Sequence, residues 1–135
     1  MPRSNRREFL FGSASGLAVA AMPSAASLRL PWYDEVRVVC VGLRGRGADH
    51  VNGFRKLPGV RIVGLVDVDQ SVLARAARAF TDRGEDVKTW TDVRHALEQK
   101  EVDAISIATP NHWHALQGIW ACQAGKDVYV EKPVS

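Results

Sequence analysis

Val36-Arg-Val-Val-Cys-Val-Gly-Leu-Arg-Gly-Arg-Gly47 decides how this chain folds. Its first six residues are apolar but for Arg37, the composition of a strand covered on both faces. The run breaks at Gly42. Beyond Gly47 the apolar residues return every third position, at Val51, Phe54 and Leu57, which is the spacing of one helical face. Strand, glycine turn and amphipathic helix in immediate succession open a βαβ unit.

The same rhythm continues outward. Pro58-Gly59 closes the first helix, predicted over 48–57. Val60–Val66 is a second strand that runs into Asp67, and 70–80 is a helix with Val72, Leu73, Ala76, Ala77 and Phe80 on one side. A short strand at 87–90 precedes a third helix, capped by Asp92 and buried through Val93, Ala96 and Leu97. A fourth strand covers 102–108. Thr109-Pro110-Asn111 starts a fourth helix ending at Gly125, and Val128–Val130 is a fifth strand. Strands alternating with helices of this length predict the α/β class, a doubly wound parallel sheet with helices on both faces.

Size and composition agree. A chain of 135 residues with 46% apolar and 24% charged content is an ordinary globular domain. The net charge of +3 is concentrated at the start. Without residues 1–26, which hold three arginines and one glutamate, the 18 basic and 15 acidic residues become 15 and 14. The chain therefore carries no footprint of a nucleic-acid partner. Cys40 and Cys122 lie in apolar stretches without Cys-x-x-Cys spacing and read as two buried small hydrophobes; a disulfide is open only in an oxidising compartment.

Residues 1–26 have the three-part order of an export signal. Arg6-Arg7-Glu8-Phe9-Leu10 resembles a twin-arginine motif, with Asn5 where Ser or Thr is usual. The apolar stretch 11–22 is too short to cross a hydrocarbon core of roughly 30 Å. The expectation is a periplasmic or otherwise exported protein with no stable membrane anchor, a linker over 27–34 and a folded domain over 35–135.

Three turns carry the chemistry. Gly42, Gly45 and Gly47 sit between strand and helix, where backbone amides face a pyrophosphate, and Arg44 or Arg46 adds a charge-assisted contact. The spacing departs from G-x-G-x-x-G because Arg44 takes the middle glycine position and Gly45 comes one residue late. Asp67 stands 25 residues after Gly42, where a carboxylate accepts from ribose hydroxyls and repels a 2′-phosphate, favouring NAD over NADP. Thr109-Pro-Asn-His-Trp-His114 leaves the fourth strand beside the point where the strand order reverses. Pro110 fixes the backbone there and Asn111 can cap the helix. His112 and His114, about 200° apart on a helix, are poor joint metal ligands. No metal is expected. Trp113 serves core or contact equally.

The ordered set Gly42-Leu-Arg-Gly-Arg-Gly47, Leu65-Val-Asp67, Thr109-to-His114 and Glu131-Lys132-Pro133 resembles the Gfo/Idh/MocA oxidoreductase family from about Val36 to Ser135. The resemblance implies a Rossmann domain in which Gly42, Arg46, Gly47 and Asp67 bind the dinucleotide. Asn111, His112, Trp113, His114 and Glu131 would line the nicotinamide end. Lys132 would be the catalytic group at the substrate hydroxyl, tuned by partial burial and nearby positive charge, and the family's Lys-Pro bond is often cis. It implies an NAD(P)-dependent oxidoreductase acting on a sugar, polyol or related alcohol. The alternatives are an NAD-dependent glycosidase of the same family, which resembles this chain at Arg46-Gly47 and at 111–114, or a non-catalytic nucleotide-binding fragment. Members carry a second α/β domain that walls the substrate pocket, so the chain is expected to be the cofactor half, inactive alone, with homo-oligomerisation left open.

Overall fold

A computed structural model describes residues 35–134 of the chain. The expected leader and linker lie outside the described residues. In chain order the elements are β1 (Val36–Val41), α1 (Arg46–Phe54), β2 (Val60–Val66), α2 (Gln70–Thr81) and β3 (Lys88–Trp90). They are followed by α3 (Val93–Leu97), β4 (Ala104–Ile107), a 3-10 turn (Asn111–Trp113), α4 (His114–Gln123) and β5 (Asp127–Val130). All pairings are parallel, and the sheet order is β3-β2-β1-β4-β5. This is the doubly wound sheet that the alternation predicts. Between β1 and β4 the order turns back on itself, so their carboxyl ends flank a crevice.

β1 is buried on both sides because it lies at the centre. Val38 and Cys40 join Leu43, Ile62, Leu65, Val72, Leu73 and Phe80 beneath α1 and α2. Val39 and Val41 face the other way, with Val66, Ile105, Ile107, Leu97 and Ala121 beneath α3 and α4. Alternation along one strand thus feeds two cores, and each fully buried Val or Ile contributes about 1.5–3 kcal/mol relative to exposure. At the amino end, the Arg37 guanidinium donates to both oxygens of Asp103 at 2.9 Å, and the Arg37 amide donates to Oδ2 at 2.8 Å, tying β1 to β4. The β1–β2 register slips between Val38 and Val39, which pair with Ile62 and Gly64. A Cβ on Gly64 would stand 2.4 Å from the Trp90 ring, so this glycine makes room for the β3 tryptophan against β2.

Three expectations are corrected. α1 ends at Phe54, a turn early, because Lys56 and Leu57 donate back to Gly53 and Phe54 in tighter i→i−3 bonds, leaving Leu57 49% exposed. Asn111 makes no capping bond: the segment leaves Pro110 as a 3-10 turn, and α4 starts only at His114. Cys40 is buried, with its thiol pushed up to about 12 by burial, but Cys122 is exposed and both are free. Asp92 does cap α3, accepting from the Arg94 amide, whose side chain helps hold the carboxyl down at about 2.

Candidate functional site

Crowding shapes the turn after β1. Gly42 has φ +77°, and a Cβ there would lie 2.7 Å from the Ala108 carbonyl oxygen. A Cβ on Gly47 would lie 1.7 Å from the Gly42 carbonyl oxygen, so α1 rests directly on the chain leaving β1. Gly45 is crowded by nothing within 4 Å and takes φ +48° to reverse the chain. The Gly47 amide donates to the Arg44 carbonyl, and those of Ala48 and Asp49 to Gly45. The amides of Arg44, Gly45 and Arg46 have no acceptor among the described residues. Free amides at a helix start, held where no side chain fits, form a cradle for an anion. The late glycine therefore keeps that cradle by another path.

Asp67 sits beside the turn and is fixed by it. Its Oδ2 accepts from the Leu43 amide and its Oδ1 from the Asp69 amide, both at 3.0 Å. Each oxygen keeps a lone pair for a further donor. The cleft in front holds about 700 Å³, a size suited to a ligand, and runs between the carboxyl ends of β1, β2 and β4. Gly42, Arg44, Asp67, Thr109, Pro110 and Trp113 line it together. Its ionisable lining is Arg44, Asp67, Asp69, Asp92 and Arg94. Arg44 pairs with Asp69, and Arg94 with Asp92 at 2.6 Å, so one carboxylate, Asp67, is left uncompensated. The residues present fit a dinucleotide.

Glu131 and Arg46 meet elsewhere, behind the turn. Arg46 donates to Glu131 Oε1 from Nη2 at 2.9 Å and from Nε at 3.2 Å, and pairs with Asp49 at 3.3 Å. His50 Nε2 donates to the same Oε1 at 2.9 Å, while His50 Nδ1 is hydrogen-bonded to the Ser106 hydroxyl at 2.8 Å. Ser, His and Glu in a row have the order of a hydrolase triad. Ser106, however, is 1% exposed, so no substrate reaches it and the row is a tether from β4 through α1 to the end of β5.

The His50 and Arg46 donors hold the Glu131 carboxyl down at about 2. A depressed carboxyl contributes stability that is full above its ordinary value of 4.5 and is lost as pH falls towards about 2. His50→Leu leaves the buried Ser106 hydroxyl without a partner and costs about 1–3 kcal/mol at neutral pH. Thermal melts from pH 7 to 2 are expected to show that loss, with a shallower decline at the acid end than in wild type. An unchanged melting temperature would show that the tether holds nothing.

His114 does not face the cleft. It is buried between backbone carbonyls, with Nδ1 2.8 Å from Pro133 O and Nε2 2.7 Å from Thr109 O. Each ring nitrogen thus faces a carbonyl oxygen that can accept from it. The contact joins the loop after β4 to the segment after β5. Thr109 Oγ1 donates to buried Gln117 at 2.8 Å, which closes the same corner. Asn111, His112 and Lys132 are exposed and outside the cleft lining, and Lys132-Pro133 is cis. The partial burial expected to tune Lys132 is not supplied by the described residues.

Sequence reasoning passed over His50, Ser106 and Asp69. His50 had a signal: it lies three residues after Gly47 and four before Phe54, on the stripe that packs against the sheet. A polar residue there needs a buried partner.

Comparison with known proteins completes the account. Residues 36–135 match the family model described as "Oxidoreductase family, NAD-binding Rossmann fold", GFO_IDH_MocA. A glycosyl hydrolase family 109 protein 2 from Shewanella sp. (strain ANA-3) is 37% identical over 121 residues, covering 86% of this chain and 26% of the relative. Among solved structures, an NAD-binding protein from Listeria innocua has a TM-score of 0.62 at 33% identity, covering 76% of this chain and 28% of that one. Myo-inositol 2-dehydrogenase from Lactobacillus plantarum has a TM-score of 0.67 at 28% identity, covering 75% and 29%. The chain spans about a quarter of the length of the curated relatives it matches. Fold, turn chemistry and a family match across every described strand and helix agree: the chain belongs to the Gfo/Idh/MocA oxidoreductases, as their NAD-binding Rossmann domain.

Proposed function

We propose that this domain holds NAD, in preference to NADP, for an enzyme that moves hydride between the nicotinamide and a carbon of a sugar, polyol or related alcohol. The observation that carries the reading is Asp67, locked at the cleft mouth by two amides and left as its uncompensated charge. The amides of Arg44, Gly45 and Arg46 would receive the pyrophosphate, and Asp67 the adenosine ribose. Bound there, the nicotinamide supplies a reversible hydride acceptor. Lys132, next to the anchored Glu131, would exchange the proton of the substrate hydroxyl. A polyol substrate is in keeping with the solved myo-inositol 2-dehydrogenase.

A second reading has its own support. The curated relatives at 37% identity carry the name glycosyl hydrolase family 109. In that chemistry the same site would oxidise a sugar transiently to loosen its glycosidic bond and then return the hydride, so no reduced cofactor accumulates.

Calorimetric titration of the 135-residue chain with NAD tests the cofactor assignment. Asp67→Ala is expected to weaken NAD about tenfold or more, the loss of hydrogen bonds to a charged group. Lys132→Ala is expected to stay within about twofold, because no ground-state cofactor contact is assigned to it. Equal effects of the two substitutions would remove Asp67 from the ribose.

A further inference from the structure

The cleft that selects NAD contains a second acid whose role the ribose assignment leaves open. Asp69 uses its two oxygens differently. Oδ1 caps α2, accepting from the Ser71 amide at 2.9 Å, the Ser71 hydroxyl at 2.7 Å and the Val72 amide at 3.4 Å. Oδ2 takes no part in the cap and receives the Arg44 guanidinium. Arg44 follows Leu43, whose amide binds Asp67, and all three residues line the cleft. The other cation of the lining, Arg94, is held on both oxygens of its own partner, Asp92. Arg44 is thus a cation of the same lining as Asp67, and Asp69 occupies it.

We infer that Asp69 is a specificity-determining residue: by engaging Arg44 it withholds a guanidinium that could receive a 2′-phosphate beside Asp67. The inference rests on the proposed NAD site and deepens it. Asp67 repels the extra phosphate directly, and Asp69 occupies a guanidinium that could offset that repulsion. Two carboxylates thus exclude NADP by different means, one through like charge and one through competition for a donor.

The division of labour between the Asp69 oxygens makes the test clean. Asp69→Asn keeps an acceptor oxygen for the cap and turns an amide group, itself a donor, toward Arg44. Asp69→Ser also keeps a capping group while removing the charge. NAD and NADP are titrated into wild type, Asp69→Asn, Asp69→Ser, Arg44→Ala and the Asp69→Asn/Arg44→Ala pair, with thermal melts alongside. Wild type is expected to bind NAD the more tightly. Releasing Arg44 is expected to raise NADP affinity about two- to fivefold, the worth of an exposed ion pair, with NAD within about twofold. The gain is expected to vanish in the double variant. A NADP-to-NAD ratio unchanged in both the Asn and Ser variants, or a gain that survives without Arg44, overturns the inference while leaving the NAD site in place. Wild type that binds neither dinucleotide overturns the proposed function itself.

Discussion

Gly47→Ala is expected to destabilise the domain by about 3 kcal/mol, the upper range for forcing an extra methyl into a packed site. Intrinsic helix propensity alone points the opposite way, since alanine is favoured over glycine by about 1 kcal/mol inside a helix. Sterics win here because the new Cβ would lie 1.7 Å from the Gly42 carbonyl oxygen, and contacts under 3.0 Å are essentially never seen. The obstacle is backbone on a glycine that is itself pinned: Gly42 has φ +77° and lies against the Ala108 carbonyl. Relief requires α1 to lift from β1, which opens the core at Leu43 and moves the amides of Arg44, Gly45 and Arg46. A drop in NAD affinity of about tenfold or more accompanies the lost stability. Gly53→Ala is the control. It is in the same helix, with nothing within 4 Å of the added carbon, so it should melt at or above the wild-type temperature. Both variants melting alike would mean that the turn tolerates a side chain, and the cradle would lose its rationale.

That contrast between two glycines of one helix shows where a sequence speaks. Gly47 was legible because it follows a two-sided apolar strand and opens an amphipathic helix, a context that gives a glycine one reading. Asp67 was legible for the same reason, as the first acid after the next strand. The sheet followed from strand runs such as Val60–Val66, which need no partner information to be recognised. His50 was not legible because its meaning lies in Ser106 and Glu131, which the topology brings to it from β4 and the end of β5. The helical spacing of 112 and 114 failed for a local reason: Pro110 leaves a 3-10 turn before α4, so the two histidines lie on different elements and one is buried. Asp69 was not legible because its second partner, Arg44, is 25 residues earlier. Local pattern reached the elements and turns; pairings across the sheet belonged to the fold.

Lys132→Met is expected to lower kcat by about 10²–10⁴-fold, the range for removing a general acid–base group. The measurement is turnover, assayed with polyols and with aryl glycosides. Proton exchange needs the lysine held in place, and the structure holds its backbone from both sides. Glu131 is anchored by His50 and Arg46, and the Pro133 carbonyl lies against His114. The side chain itself is exposed in this domain. Lys132→Arg should not restore turnover, because a guanidinium keeps its proton throughout the working range. NAD affinity should remain within about twofold in both variants, which separates lost chemistry from a lost cofactor. In wild type, net NADH formed from a polyol supports the dehydrogenase reading; glycoside cleavage with NAD required but no net NADH supports the glycosidase. Oxidation at a hydroxyl opens both sequences, so Lys132→Met should impair whichever one the protein performs. A Lys132→Met enzyme within tenfold of wild type would place the proton transfer on another residue and leave Glu131, His50 and Arg46 with a purely architectural task.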